Sequence, residues 1–304
     1  MNGVCIKRFE NHTMRSLLFV PADSPKKLDK GMSSGADALI VDLEDSVSTD
    51  RKAEARGSAL AFLRDAGKTT TRPRLLVRVN ALDTGLTDAD LDAVVAGKPD
   101  AIMLPKAEGG VSVTHLHAKL SAREAMAGLP EGEIGIIALA TETASSLFTT
   151  GSYRGASSRL AALTWGAEDL SADLGAEANR DESGRFLDPY RLARTLCLAG
   201  AAAAGVPAID TVYVDFRNDA GLRQEAEEAR RDGFTAKMAI HPGQVAAINE
   251  VFTPSAEAVA HAKAILDAFE AQPGAGVVGI GGKMYDRPHL VRAKVLLAKA
   301  GKKH

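Results

Sequence analysis

Eight short apolar runs, none with an in–out alternation, govern what this chain can become. They are Ser16–Pro21, Ala38–Leu43, Leu75–Val79, Ala101–Leu104, Ile134–Ala140, Leu160–Thr164, Ala208–Val212 and Thr235–Ile240. A run without alternation reads as a strand buried on both faces, as in a parallel sheet. Segments of helical character separate them. One follows Ser24 with Pro25 at its first position, and Tyr190–Ala204 is ended by Gly205 and Pro207. Strands that alternate with helices predict an α/β fold, a closed (β/α)₈ TIM barrel over residues 15–271. An open doubly wound sheet is the alternative, but no glycine-rich dinucleotide loop follows the first strand.

The remaining segments flank that barrel. Residues 1–14 read as a flexible leader, without an apolar core of signal-peptide length. Residues 272–304 begin with the glycine-rich stretch QPGAGVVGIGGKM, which reads as a mobile connector. An amphipathic helix from about Pro288 follows. This C-terminal helical extension is too short to fold alone and must dock on its own barrel or on a neighbour's. A net charge of −2 gives no nucleic-acid surface, and no apolar run reaches the ~20 residues of a membrane span. Cys5 and Cys197 are too few for a disulfide framework, so a cytoplasmic protein is expected.

In a parallel barrel, chemistry sits where strands end and loops begin. The fifth run stops at Glu142, and the sixth, extended through Trp165, stops at Glu168–Asp169. Two neighbouring strands that each deliver a carboxylate to one rim make a site for a hard cation. Mg²⁺ fits best, because it takes one or two carboxylates and keeps positions for water and substrate. Glu142 as a helix cap is the competing reading. Other polar groups recur at strand ends: Asp42, Glu44, Asp45, Arg78, Asn80 and Lys106. Arg78 interrupts an apolar run and must meet an anion there, either in a structural ion pair with Glu44 or Asp45 or facing a carboxylate or developing oxyanion. Lys106 has the same two readings. His241, before Pro242 and Gly243, reads as a cap.

Beyond these residues the chain resembles the citrate lyase β-subunit-like (CitE-like) branch of the HpcH/HpaI aldolases. The stretches that carry the resemblance are RSLLFVPADSPKKLDK (15–30), GADALIVDLEDSV (35–47), VRVN (77–80), MLPKAE (103–108), ALATETA (138–144) and TWGAEDLSADLG (164–175). AKMAIHPGQVAAINEVFTPS (236–255) and GGKMYDRPHLVRA (281–293) complete the set. They span nearly the whole chain in family order. The resemblance implies Mg²⁺, or Mn²⁺ in its place, on Glu142 and Asp169. It puts an active-site arginine at Arg78 and a catalytic aspartate at Asp286, on a tail that covers an adjacent subunit's site. Asp42, Glu44, Asp45 and Lys106 would support the metal and its waters, and Arg15 and Lys30 would meet the phosphates of coenzyme A. A homo-oligomer, trimer or hexamer, follows from the same resemblance.

The implied reaction is cleavage or formation of a 3-hydroxyacyl-CoA such as malyl-, citramalyl- or β-methylmalyl-CoA, with acetyl- or propionyl-CoA and a 2-oxo acid as the other side. A citrate lyase β subunit acting on a citryl thioester, a malyl-CoA thioesterase, and a non-catalytic barrel subunit are the rival readings.

Overall fold

The computed structural model describes residues 14–301; residues 1–13, with Cys5 and nearly all of the expected leader, lie outside them. Eight parallel strands close on themselves in chain order: β1 (Ser16–Pro21), β2 (Ala38–Asp42), β3 (Arg74–Arg78), β4 (Ala101–Leu104), β5 (Gly135–Leu139), β6 (Leu160–Thr164), β7 (Ala208–Asp210) and β8 (Ala236–Ala239). β8 pairs with β1, with Leu17 beside Met238, which seals the ring. The crossovers carry α1 (Pro25–Met32), α2 (Lys52–Ala66), α3 (Thr87–Val94), α4 (Gly110–Met126), α5 (Ala167–Asp173), α6 (Asp188–Ala204), α7 (Asp219–Asp232) and α8 (Val245–Phe252).

Strand periodicity divides the core in two. Leu17, Ala38, Ile40, Leu76, Ala101, Met103, Ile137, Ala162, Ile209 and Met238 fill the barrel, and Leu18, Leu39, Val41, Val77, Ile102 and Leu163 pack outward against the helices. Both faces are apolar, which is why the sequence shows no alternation. Met14, expected as the end of a flexible leader, packs instead against the inner core. No helix of the described residues is long and apolar enough to cross a membrane.

The glycine-rich stretch folds instead of hanging as a mobile connector. β9 (Val277–Ile280) and β10 (Lys283–Asp286) form an antiparallel hairpin in which Lys283 pairs with Ile280. Gly281 and Gly282 make the two-residue turn at φ +57° and +78°. A tight hairpin turn with both central residues in the left-handed region matches the twist of its strands, and glycine adopts it without strain. Val278 and Tyr285 point into a small core with Ile265 and Phe269 of α9 (Ala256–Glu270) and Ala293 of α10 (Arg287–Ala300). The extension therefore shares its core with α9, earlier than the composition break at 272.

One ion pair ties a crossover to the sheet. Arg159, just before β6, donates from Nη1 and Nη2 to the two oxygens of Glu124 on α4 at 2.7 and 2.6 Å, with both side chains fully buried. Glu124 also accepts the Ile134 and Gly132 amides, which fixes the entry to β5. Glu124→Ala strands a buried guanidinium and is expected to cost about 3–5 kcal/mol. Urea unfolding monitored by circular dichroism checks it.

Candidate active site

β2 and β3 are in register so that Asp42 lies beside Arg78, both on the inward face that Ile40 and Leu76 occupy one step below. Asp42 Oδ1 accepts Arg78 Nε and Oδ2 accepts Nη2, each at 2.7 Å. The same two oxygens accept the Glu44 and Ser46 amides. Asp42 is thus fully engaged in holding the guanidinium, and the water-orienting role expected of it has no free oxygen to act through. Burial works to raise the Asp42 carboxyl, but Arg78 outweighs it and holds the group below its ordinary value. Arg78 Nη1 lies 2.9 Å from Glu44 Oε2. Of the five guanidinium N–H groups two are taken by Asp42, so donors remain for a ligand.

Glu44 continues the chain of charge. Its Oε1 accepts Lys106 Nζ at 2.6 Å, while burial outweighs both cations and raises the carboxyl. Lys106 follows β4, and its ammonium also lies 3.1 Å from Asp169 Oδ1 and 3.7 Å from Asp45 Oδ2. Arg78 and Lys106 therefore hold structural ion pairs, as one reading of each expected. Arg78 in addition faces the cavity, as the other reading required.

The two proposed metal acids come from neighbouring strands. Glu142 stands three residues beyond β5, is almost fully buried, and its Oε2 accepts the Lys106 amide at 2.7 Å. Gly166, between β6 and α5, gives it room: a Cβ there would sit 2.7 Å from Glu142 Oε1. Asp169 lies in the first turn of α5 and is partly exposed. Burial first, then the neighbouring Asp169 carboxylate, push the Glu142 carboxyl up to about 8. Glu168 also borders the cavity, but its Oε1 accepts from Asn179 Nδ2 at 2.8 Å. Among the described residues no three His, Cys, Asp or Glu side chains form a metal cage. The donor set is two carboxylates that repel each other in a buried rim, with cavity beside them for water and substrate. That set fits Mg²⁺ and not a metal that needs nitrogen or sulfur donors.

Both acids line one cavity of about 590 Å³ at the C-terminal rim, together with Phe19, Asp42, Arg78, Leu139, Thr211, Val212 and Met238. Lys27 and Lys30 of α1 stand exposed at its edge, and Ile240, His241 and Pro242 after β8 also line it. Lys30 thus lies at the cavity. Arg15 does not: it precedes β1 at the opposite end of the barrel, bound to both oxygens of Asp37 and to Thr253 Oγ1. An arginine so committed, at the wrong end, cannot meet a phosphate of a ligand in the cavity. Asp286 is also absent from the lining; it caps α10, with its carboxylate against His289 Nδ1. His241 Nδ1 accepts the Gly243 amide, the capping role expected, and its ring stacks on Phe216. Reading the sequence missed Lys27 and Gly166. The first is one helical turn before Lys30, a visible signal; the second depends on a contact between strands that no local pattern reports.

Comparison with known proteins agrees with this architecture. Over 302 residues the chain is 34% identical to citrate lyase subunit beta of Escherichia coli K12, covering 99% of this chain and 97% of that one. It is 33% identical to the mitochondrial citramalyl-CoA lyase of Rattus norvegicus (94% and 86% covered) and 35% to a (3S)-malyl-CoA thioesterase of Cereibacter sphaeroides (95% and 95%). The crystal structure of CitE from Mycobacterium tuberculosis, in complex with magnesium, acetoacetate and coenzyme A, superposes with a TM-score of 0.78 at 32% identity, over 96% of this chain and 99% of that one. The HpcH/HpaI aldolase/citrate lyase family matches residues 15–242. With that match added to a closed barrel and an acidic C-terminal rim, the chain belongs to the HpcH/HpaI aldolase/citrate lyase family.

Proposed function

We propose that the chain is a Mg²⁺-dependent carbon–carbon lyase for a 3-hydroxyacyl-CoA that carries a carboxylate on its carbinol carbon. The observation that carries this reading is the convergence of Glu142, Asp169 and Arg78 on one cavity, with Lys106 bound to both acids behind it. Glu142 and Asp169 would hold the ion. When bound, Mg²⁺ supplies Lewis acidity to the hydroxyl and carboxylate of the ester, or to the 2-oxo acid in reverse. Cleavage of the bond between the acyl α-carbon and the carbinol carbon leaves a thioester enolate. The N–H groups of Arg78 not taken by Asp42 stabilise its oxygen, and one such donor is worth about 3–4 kcal/mol of barrier. Lys27 and Lys30 offer positive charge to the coenzyme A phosphates, and Ile240 with Pro242 offers an apolar ledge to the chain between.

The carbinol hydroxyl gives up a proton as the carbonyl forms, and the enolate carbon takes one; a carboxylate that accepts the first and returns it to the carbon closes the balance. Asp286 is the group we assign, delivered by the tail of a neighbouring subunit, because in its own protomer it does not line the cavity. A homo-oligomer, trimer or hexamer, belongs to this reading. So does a cytoplasmic setting.

Purified protein offered malyl-, citramalyl-, β-methylmalyl- and citryl-CoA should release acetyl- or propionyl-CoA with a 2-oxo acid, and EDTA should stop it. Free malate with free coenzyme A as the only products would mark a thioesterase instead. No turnover of any ester would overturn the reading.

Arg78→Ala and Asp286→Ala should each be nearly inactive alone. Mixed and reassembled, they should recover activity at about a quarter of the sites by random assortment in a cyclic oligomer. No recovery would place Asp286 outside the neighbour's site.

Glu142 also makes a stability prediction. Its folded-state carboxyl ionises near 8, against 4.5 ordinarily, so its burden on metal-free protein grows from about pH 4.5 and is full above 8. With EDTA present, Glu142→Gln should melt higher than the parent at pH 8.5 and equally at pH 4.5. Mg²⁺ should raise the parent's Tm and leave the variant's unchanged.

A further inference from the structure

Lys106 touches both proposed metal acids, by two different parts of itself. Its amide donates to Glu142 Oε2 at 2.7 Å, and its ammonium lies 3.1 Å from Asp169 Oδ1. To do so its backbone enters the left-handed region at φ +49°, which among the described non-glycine residues only Lys98 shares. A lysine gains nothing locally from that conformation. What it obtains is an N–H aimed at one acid while the side chain returns over the other.

The ammonium has a second seat. It is bound more closely to Glu44 Oε1, at 2.6 Å, and Asp45 Oδ2 is 3.7 Å away on an exposed carboxylate. Glu44 Oε2 accepts no hydrogen bond of good geometry and faces Arg78 Nη1 at 2.9 Å, so it is Oε1 that seats the ammonium. A divalent ion on Asp169 would sit about 2.0–2.1 Å from the oxygen that the ammonium now faces. Two cations at one carboxylate repel strongly where water is partly excluded.

We propose that Lys106 is a resident counter-ion of the metal site, a positioning residue whose ammonium holds Asp169 toward Glu142 before the divalent ion arrives and is displaced onto Glu44 and Asp45 when it binds. Glu44 is the pivot, so the ammonium changes seats without leaving the rim. The arrangement keeps the two acids converged at the expense of metal affinity, and makes metal exchange easier than two bare carboxylates would.

This rests on Glu142 and Asp169 being the ligands, and the test separates the two claims. Mn²⁺ binding to chelator-stripped protein is read from the electron paramagnetic resonance signal of the free ion at low ionic strength. Lys106→Met removes the ammonium. Lys106→Gly also removes it, and adopts the same φ freely, so the amide contact to Glu142 is retained. Both should bind Mn²⁺ about 10-fold more tightly than the parent, a gain that added salt reduces. Lys106→Arg keeps a cation and should stay near the parent. Metal-free Lys106→Gly should also melt lower at pH 8 and recover with Mg²⁺. If the Met and Gly variants bind Mn²⁺ no more tightly than the parent, the displaced counter-ion is wrong. If Asp169→Asn binds Mn²⁺ as the parent does, it is the ligand assignment that fails.

Discussion

Charge imbalance at the end of the barrel shapes everything around it. Asp42, Glu44, Asp45, Glu142 and Asp169 stand within one network whose cations are Arg78 and Lys106. The imbalance is not spread evenly. Asp42 and Arg78 satisfy each other, with two hydrogen bonds and two backbone amides on the acid, so that end is settled. Glu142 receives one amide and no side-chain cation, in a place water scarcely reaches. Unmet negative charge in a buried position is unstable by itself, and a folded chain retains it only where something else brings the balancing charge. The barrel supplies rigidity enough to hold that arrangement: strands buried on both faces cannot shift to relieve one carboxylate.

The division of labour follows from strand geometry. Register puts Asp42 and Arg78 side by side on the inner face, so the guanidinium is oriented before any ligand enters. A group held in place by its neighbours does not have to be reorganised when charge develops on a substrate, which is where electrostatic catalysis finds most of its advantage. The loops beyond β5 and β6 bring the acids, and α1 brings lysines at the outer edge. In the proposed function, reaction chemistry would lie deep, on strand ends, and recognition of the long thioester at the mouth, on a helix and the loop after β8.

How far this could be read in the sequence depended on whether the determinant was local. Continuous apolar runs mark strands buried on both sides, so all eight staves were legible, within one residue for every strand but β7, which closes at Asp210, two residues before Val212. Acids that end such runs could be placed on the rim for the same reason. Arg15 was misread because charge and position near the first strand say nothing about which end of that strand a side chain serves; Asp37, at the entry to the neighbouring β2, decides it. The hairpin at 277–286 was misread from its glycines. Its signal was present in Gly281–Gly282 between short alternating stretches, where Val278 and Tyr285 face inward and Met284 outward. That Asp42 is spent on Arg78 was invisible, since pairing across strands is a property of register alone.

Gly166 deserves a last consequence. With only a hydrogen at that position, the β5 and β6 sides of the rim approach until a carboxylate oxygen fills the space a methyl would need. Variation is closed off there for as long as the acid stays. Val212, Met238 and Ile240, on or just beyond the adjoining β7 and β8, line the same void. The β5–β6 side of the mouth is packed around a carboxylate, which leaves the β7–β8 side beside it as the place where its shape can change.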